Sequence, residues 1–302
     1  MNPLVSIVIP TYNRAPLLAR SIRSVLAQSC GDFELIVVDD ASKDNTAEVV
    51  QGFDDPRIRY LCHEQNQGGA QARNTGIAAA SGHYVAFQDS DDEWLLDKLA
   101  LQLARAESDD QRPGVVYCGF VRWDPPNASY TPGAKVVQRE GDIHLAVLRD
   151  YFISTQTVLV RRACFEAVGT FDARLPRFQD WELMIRLSQR FHFALVDEPL
   201  VLVHTTADSI TRDAVAKCKA RELILRTHYD TLAAHPEILA DHQYAVGHLM
   251  CLQGRMAEGR AYLDQAVHTH RRHYKAHAAR ALARLGPQAY RQATQWRQSA
   301  RG

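Results

Sequence analysis

Short apolar runs alternate with amphipathic stretches through the first two hundred residues. Leu4-Val5-Ser6-Ile7-Val8-Ile9 predicts a strand that stops at Pro10-Thr11-Tyr12-Asn13. Leu17, Leu18, Ile22, Val25 and Leu26 then recur at helical spacing, with Asn13 as cap and Pro16 in the first turn. Residues 34–38 predict a second strand ending at Asp39-Asp40, followed by a helix that Asp44 or Asn45 caps and that runs to about Gly52. Residues 57–62 predict a third strand, 70–80 a third helix, and 84–87 a fourth strand ending at Gln88. Strict alternation of this kind predicts an α/β fold with a doubly wound, mostly parallel sheet.

Beyond Trp94 a helix is expected through Leu95, Leu99, Leu103 and Ala106, broken at Pro113-Gly114. Residues 115–121 predict a strand and 124–133, with three prolines, a loop. A short helix over 143–151, a strand over 157–160, a helix over 181–189 and a last strand over 200–204 complete the pattern. From about residue 213 the composition changes to helix formers, giving expected domains 1–212 and 213–302. Residues 246–267 resemble one tetratricopeptide-type helix pair, and 274–296 a degenerate second. Such arrays need about three repeats to stand alone, so the tail serves either as a structural cap or as a dock for a protein partner.

Among 302 residues, 46% are hydrophobic and 23% charged, a balance that suits a soluble globular protein with a sizeable core. Lys+Arg and Asp+Glu both total 35, so no net field points to nucleic acid as a partner. The six cysteines are scattered without C-x-x-C spacing, which favours a reducing cytoplasm, and Cys62 and Cys118 lie in apolar runs where buried thiols are expected. The chain enters its first strand without a leader-like segment, and no apolar run approaches the ~20 residues of a membrane span. Peripheral attachment to a membrane's inner face stays open.

The chemistry concentrates after the fourth strand, in Gln88-Asp89-Ser90-Asp91-Asp92-Glu93. On extended backbone Asp89 and Asp91 would point to the same side and could grip one hard cation. The alternative is an acidic turn capping a helix that starts near Trp94; one cap needs one carboxylate, and crowding several costs repulsion unless a cation intervenes. No G-x-G-x-x-G follows the first two strands. Pro10-Thr11-Tyr12 and Asp39-Asp40 stand there instead, an aromatic and carboxylates that could hold a base, or simply a turn and an N-cap. Gly68-Gly69 opens a helix carrying Arg73. Together these suit a diphosphate; equally, the small residues only permit close packing and Arg73 is a surface charge.

Val8-Ile9-Pro10-Thr11-Tyr12-Asn13-Arg14, Val37-Val38-Asp39-Asp40-Ala41-Ser42, Ala72-Arg73-Asn74-Thr75-Gly76 and Asp89-Ser90-Asp91-Asp92 occur in the order and spacing of family 2 glycosyltransferases. The chain resembles that family over about residues 5–209. The resemblance implies a GT-A fold and an NDP-sugar donor, UDP-sugar favoured, bound with Mn²⁺ or Mg²⁺. It implies that Pro10, Tyr12 and Asp40, with Thr11 between, contact the nucleoside, and that Asp89 and Asp91 form the D-x-D metal site with Asp92 beside it. A second block, Gly169-Thr170-Phe171-Asp172 followed by Phe178-Gln179-Asp180-Trp181-Glu182-Leu183, carries Ala173 and Gln179 where the family has acids. Asp180 would be the catalytic base, since an acceptor hydroxyl must lose its proton as it attacks; otherwise it caps the following helix. His204 would add a metal ligand or be a satisfied strand-end histidine, and Ser209-Ile210-Thr211 would form a loop near the site. The histidines at 268, 270, 273 and 277 read as a solvated helix face.

The implied activity is inverting transfer to a glycan or lipid-linked saccharide in cell-surface polysaccharide synthesis. A sugar nucleotidyltransferase, or a non-catalytic scaffold acting through its helical tail, are the rivals.

Overall fold

Two strands are buried along their whole length, β1 (Val5–Thr11) and β2 (Phe33–Asp39), as continuous apolar runs require when both sheet faces are covered. The computed structural model describes residues 2–108, 112–124, 127–204 and 213–299. β3 (Ile58–Cys62) and β4 (Tyr84–Phe87) flank that pair; β5 (Glu93–Trp94), β6 (Val115–Asp124), β7 (Asn127–Thr131), β8 (Val158–Arg161) and β9 (Phe193–His204) complete one sheet. Its order is β3-β2-β1-β4-β8-β6-β9-β5, with β7 paired to β6. β1 to β4 run parallel, as do β6 and β9, whereas β8 lies antiparallel between β4 and β6.

The helices of this unit are α1 (Ala15–Leu26), α2 (Thr46–Gln51), α3 (Gly69–Ala79), α4 (Lys98–Ser108), α5 (His144–Arg149), α6 (Arg162–Val168) and α7 (Gln179–Ser188). Leu18, Ile22 and Val25 of α1 and Leu99 and Leu103 of α4 share a core with Ile7, Ile9, Leu35 and Val37. α3 packs so close that a Cβ on Gly76 would lie 2.3 Å from Val8 Cγ1, which excludes any larger residue there. Phe87, at the end of β4, meets Phe171 edge-on at 5.2 Å.

Several expectations need correction. Residues 124–133 are not all loop: polar Asn127–Thr131 pairs with β6 through its backbone, which no apolar alternation announces. No helix begins near Trp94; Glu93–Trp94 pairs antiparallel with β9, and the helix waits until Lys98. The cause lies in burial, since the Trp94 indole donates to Gln156 O at 3.0 Å and Lys98 Nζ packs 3.8 Å from its ring. β9 is also longer than residues 200–204, because a register shift opposite Cys118–Phe120 interrupts its apolar pattern. Cys62 is exposed, whereas Cys118 is buried.

The chain has two compact units, one formed by residues up to Ala173 and from Gln179 through β9, the other by Arg174–Phe178 and the later helices. In the second unit, α8 (Ala214–Thr227), α9 (Tyr229–Ala233), α10 (Pro236–Leu252), α11 (Met256–Thr269), α12 (Tyr274–Ala283) and α13 (Pro287–Ser299) follow one another. α10 and α11 approach at two glycines: a Cβ on Gly247 would lie 2.8 Å from Gly259 O. His273 does not lie on a solvated face; it is buried, caps α12 by accepting from Ala276 N, and holds Asp241 at 3.0 Å. Among the described residues no helix is long and apolar enough to cross a membrane.

Candidate active site

At the end of β4 the backbone turns, with Asp92 N donating to Asp89 O at 3.2 Å. Asp89 and Asp91 are therefore gathered by a turn and not by alternation along a strand, which corrects the geometric reason for expecting them together. α1 holds this turn from one side: Ser21 Oγ donates to Asp89 O at 3.0 Å, and the Arg20 guanidinium donates to Asp91 O. Each acid also has a side-chain partner. Arg73 pairs with Asp89 at 2.6 Å and Arg14 with Asp91 at 2.9 Å. Asp92 is buried and accepts from His204 N at 3.0 Å and Gln156 Nε2 at 2.9 Å.

These acids crowd one another. Burial, then repulsion from Asp89, pushes the Asp91 carboxyl above the usual range against the pull of Arg14. Burial and then both Asp89 and Asp91 push Asp92 well above it. His204 spends its Nε2 on Glu93 at 2.7 Å, so its ring joins the rim of the acidic turn and not the Asp89–Asp91 pair. Among the described residues no group of three His, Cys, Asp or Glu is arranged to hold a metal unaided. The donor set nevertheless suits a hard cation that one or two carboxylates and a substrate's phosphates would share, because their mutual repulsion is what a cation relieves.

Asp180 lies in the first turn of α7, half-buried. Its Oδ2 accepts from the Tyr151 hydroxyl at 2.5 Å and Thr155 N at 3.3 Å, and its Oδ1 from Trp181 N at 2.9 Å. Burial raises its proton affinity, opposed by Tyr151, Trp181 N and Arg73, while Asp89 adds to the rise. Arg73 and Asp89 thus act on Asp180 too, which puts it in the same electrostatic neighbourhood as the acidic turn. Arg73 is not a free surface charge: besides Asp89, its guanidinium lies 5.7 Å from the Phe171 ring.

At the tips of β1 and β2 the expected contacts separate. Pro10 is buried, Tyr12 is 41% exposed, and the buried Thr11 hydroxyl has no hydrogen-bond partner among the described residues. Asp40 does not join the acidic turn. Its buried carboxylate accepts from Gln67 N at 2.8 Å and Gly68 N at 2.7 Å and pairs with His63 Nδ1 at 2.7 Å, so it fixes the loop that opens α3. Asp39 is likewise spent, on Ser42 N and the Tyr60 hydroxyl. Ser209-Ile210-Thr211 lies outside the described residues. Sequence reasoning missed Arg20, Ser21, His63, Tyr151 and Gln156. Arg14 alone had a signal, as the residue closing the first motif.

A sheet of this order, with acids turned out at the end of a central strand, places the chain in the GT-A class of folds. The structure of S. aureus TarS 1-349 in complex with UDP-GlcNAc superposes with a TM-score of 0.71 at 18% identity, covering 99% of this chain and 92% of that one. An uncharacterized glycosyltransferase of Rickettsia prowazekii (strain Madrid E) is 30% identical over 224 residues, which span 73% of this chain and 70% of that protein. The Escherichia coli UDP-Glc:alpha-D-GlcNAc-diphosphoundecaprenol beta-1,3-glucosyltransferase WfgD is 48% identical over 101 residues, 33% of this chain and 40% of WfgD. The profile of Glycosyl transferase family 2 matches residues 6–170. The chain belongs to that family, and is a glycosyltransferase.

Proposed function

We propose that the protein transfers a sugar from a nucleoside diphosphate donor, a UDP-sugar in first place, to a glycan or lipid-linked saccharide in surface-polysaccharide synthesis, with inversion at the anomeric carbon. The observation that carries this reading is the convergence of Asp89, Asp91 and Asp92 in one turn with Asp180 within electrostatic reach. WfgD is named for a UDP-glucose donor, and the Bacillus subtilis relative TuaG, 46% identical over 104 residues, for teichuronic acid biosynthesis. A mannosyltransferase of the same fold (TM-score 0.59) was solved with GDP-Man and Mn2+.

Asp89 and Asp91 would hold Mn²⁺ or Mg²⁺; when bound, the ion neutralises charge on the departing diphosphate. Asp92 and His204 brace that turn through the His204 N–Asp92 bond. Exposed Tyr12 stacks on the base, with Pro10 and Thr11 lining its edge, and Asp40 serves the nucleoside by fixing the 63–68 loop. Arg73 holds Asp89 at 2.6 Å, and its charge opposes protonation of Asp180. Asp180 takes the proton of the acceptor hydroxyl as its oxygen bonds to the anomeric carbon and the bond to the diphosphate oxygen breaks, on the face opposite the leaving group. We read residues 1–212 as the transferase and 213–302 as a tetratricopeptide-like extension that either caps it or docks a protein partner.

A thermal-shift panel of nucleoside diphosphate sugars with Mn²⁺ or Mg²⁺ identifies the donor. With that donor, Asp180→Asn should keep UDP affinity within about twofold while turnover falls by at least ~100-fold. Near-normal turnover in that variant rejects Asp180 as the base.

A further inference from the structure

Tyr151 is absent from every motif that led to the site, yet its hydroxyl makes the shortest hydrogen bond to Asp180, 2.5 Å to Oδ2. Its ring lies 6.3 Å from that of Trp181, whose indole in turn donates to Val147 O at 2.6 Å, so the phenol is aimed by packing. The hydroxyl also opens a chain of polar contacts. Ser154 Oγ lies 3.2 Å from the phenol oxygen and donates to Gln156 Oε1 at 2.7 Å, and Gln156 Nε2 donates to Asp92 Oδ2 at 2.9 Å. The segment 151–156 therefore touches Asp180 at one end and the acidic turn at the other.

We propose that Tyr151 is a positioning residue for Asp180: its O–H holds Oδ2 while Trp181 N holds Oδ1, and together they fix the orientation in which the carboxylate meets the acceptor hydroxyl. This rests on the reading of Asp180 as the base. A phenol could instead be a proton acceptor in its own right. Although the residue is 38% exposed, desolvation of the phenol and then the Asp180 charge 2.5 Å away raise its proton affinity above the ordinary phenol range, so it donates at neutral pH. The groups acting on Asp180 are the neutral, titratable Tyr151 from this segment, the Trp181 N–H of α7, and the charges of Arg73 from α3 and Asp89 from the turn. Tyr151 and Arg73 oppose protonation and Asp89 favours it. Deleting the Tyr151 hydroxyl removes a restraint, and the Asp180 midpoint must rise.

The test is Tyr151→Phe in the full-length protein with ¹³C-carboxyl-labelled aspartate. The Asp180 resonance is identified by its disappearance in Asp180→Asn. Its titration midpoint should move to higher pH in Tyr151→Phe, and an unmoved midpoint overturns the proposal. Turnover of the fastest UDP-sugar from the panel should fall about tenfold at neutral pH, with donor KM within twofold and the acid limb of the rate profile moved the same way. A raised acceptor KM with an unmoved limb would make Tyr151 an acceptor contact and also overturn it. The two readings fail separately: wild-type turnover in Asp180→Asn removes the base, whereas an unmoved carboxyl midpoint removes only the role of Tyr151.

Discussion

Two sets of acids stand at the carboxyl ends of parallel strands, and they differ in what answers their charge. Asp39 and Asp40, after β2, are buried and accept hydrogen bonds from backbone N–H groups and from Tyr60 and His63. Glu34, at the other end of β2, follows the same plan. Burial alone would raise its carboxyl, but hydrogen bonds from Ser81 and Ser6 and the Arg59 guanidinium outweigh that and hold it at about 2. Asp89, Asp91 and Asp92, after β4, also have partners in Arg73, Arg14, Gln156 and His204 N, but they repel one another, and burial with that repulsion pushes Asp91 and Asp92 up. A satisfied carboxylate is mortar. A carboxylate kept under repulsion at a strand tip is poised to receive a cation.

The largest effect separating the two sets concerns ligand binding. Asp91→Asn should weaken Mn²⁺-dependent UDP binding, measured by calorimetry, by at least ~100-fold, beyond the 10–100-fold typical for losing a supporting residue. Unchanged affinity would make the acidic turn mortar as well.

Next comes acid stability. The Glu34 pKa falls from 4.5 to about 2 on folding, worth about 3 kcal/mol. A depressed carboxylate stabilises above its unfolded value, so this contribution is complete above about 4.5 and is lost as pH drops from there toward 2. Chemical denaturation across that window should show the slope in the wild type and a flatter one in Glu34→Gln, which starts out less stable at neutral pH. Equal slopes would contradict the hydrogen-bond account.

Asp40→Asn should cost about 2 kcal/mol by urea denaturation, because its amide would face Gly68 N donor to donor and leave a buried group unpaired. UDP affinity should fall less than tenfold. An intact stability with lost UDP binding would reverse the assignment and return Asp40 to direct contact with the nucleoside.

The contrast also marks what was legible beforehand. β1, β2 and β4 could be read because a strand covered on both faces must be apolar throughout, and the helix faces of α1 and α4 because their period is helical. The acidic blocks after β2 and β4 could be found but not told apart. Asp39-Asp40 and Asp91-Asp92 are the same pair of letters, and the difference lies in partners far along the chain: His63 and Gly68 for one, Arg14, Gln156 and His204 for the other. β5 has two residues and β7 a polar face, so neither announces itself; both exist because a longer neighbour offers backbone to pair with. Tyr151 has no local signature at all, since only the fold brings it to Asp180.

The smallest expected effect sharpens the comparison most. Asp91 has a raised pKa in the folded state, so its ionised form costs stability above that value, and the cost disappears as pH falls through it. Asp91→Asn removes the repulsion but also the 2.9 Å pair with Arg14, which is one-quarter exposed and worth ~1 kcal/mol or less. The net gain at neutral pH is below about 1 kcal/mol, a rise in Tm of roughly 2 °C for a unit of this size. The difference from wild type should shrink on acidification. Adding Mn²⁺ with UDP should raise the wild-type Tm and move the variant's far less, since the variant keeps Asp89 and Asp92 but binds the pair at least ~100-fold more weakly. A lower Tm in the metal-free variant at neutral pH would show that Arg14 already satisfies Asp91, and that the acids after β4 are built like those of β2.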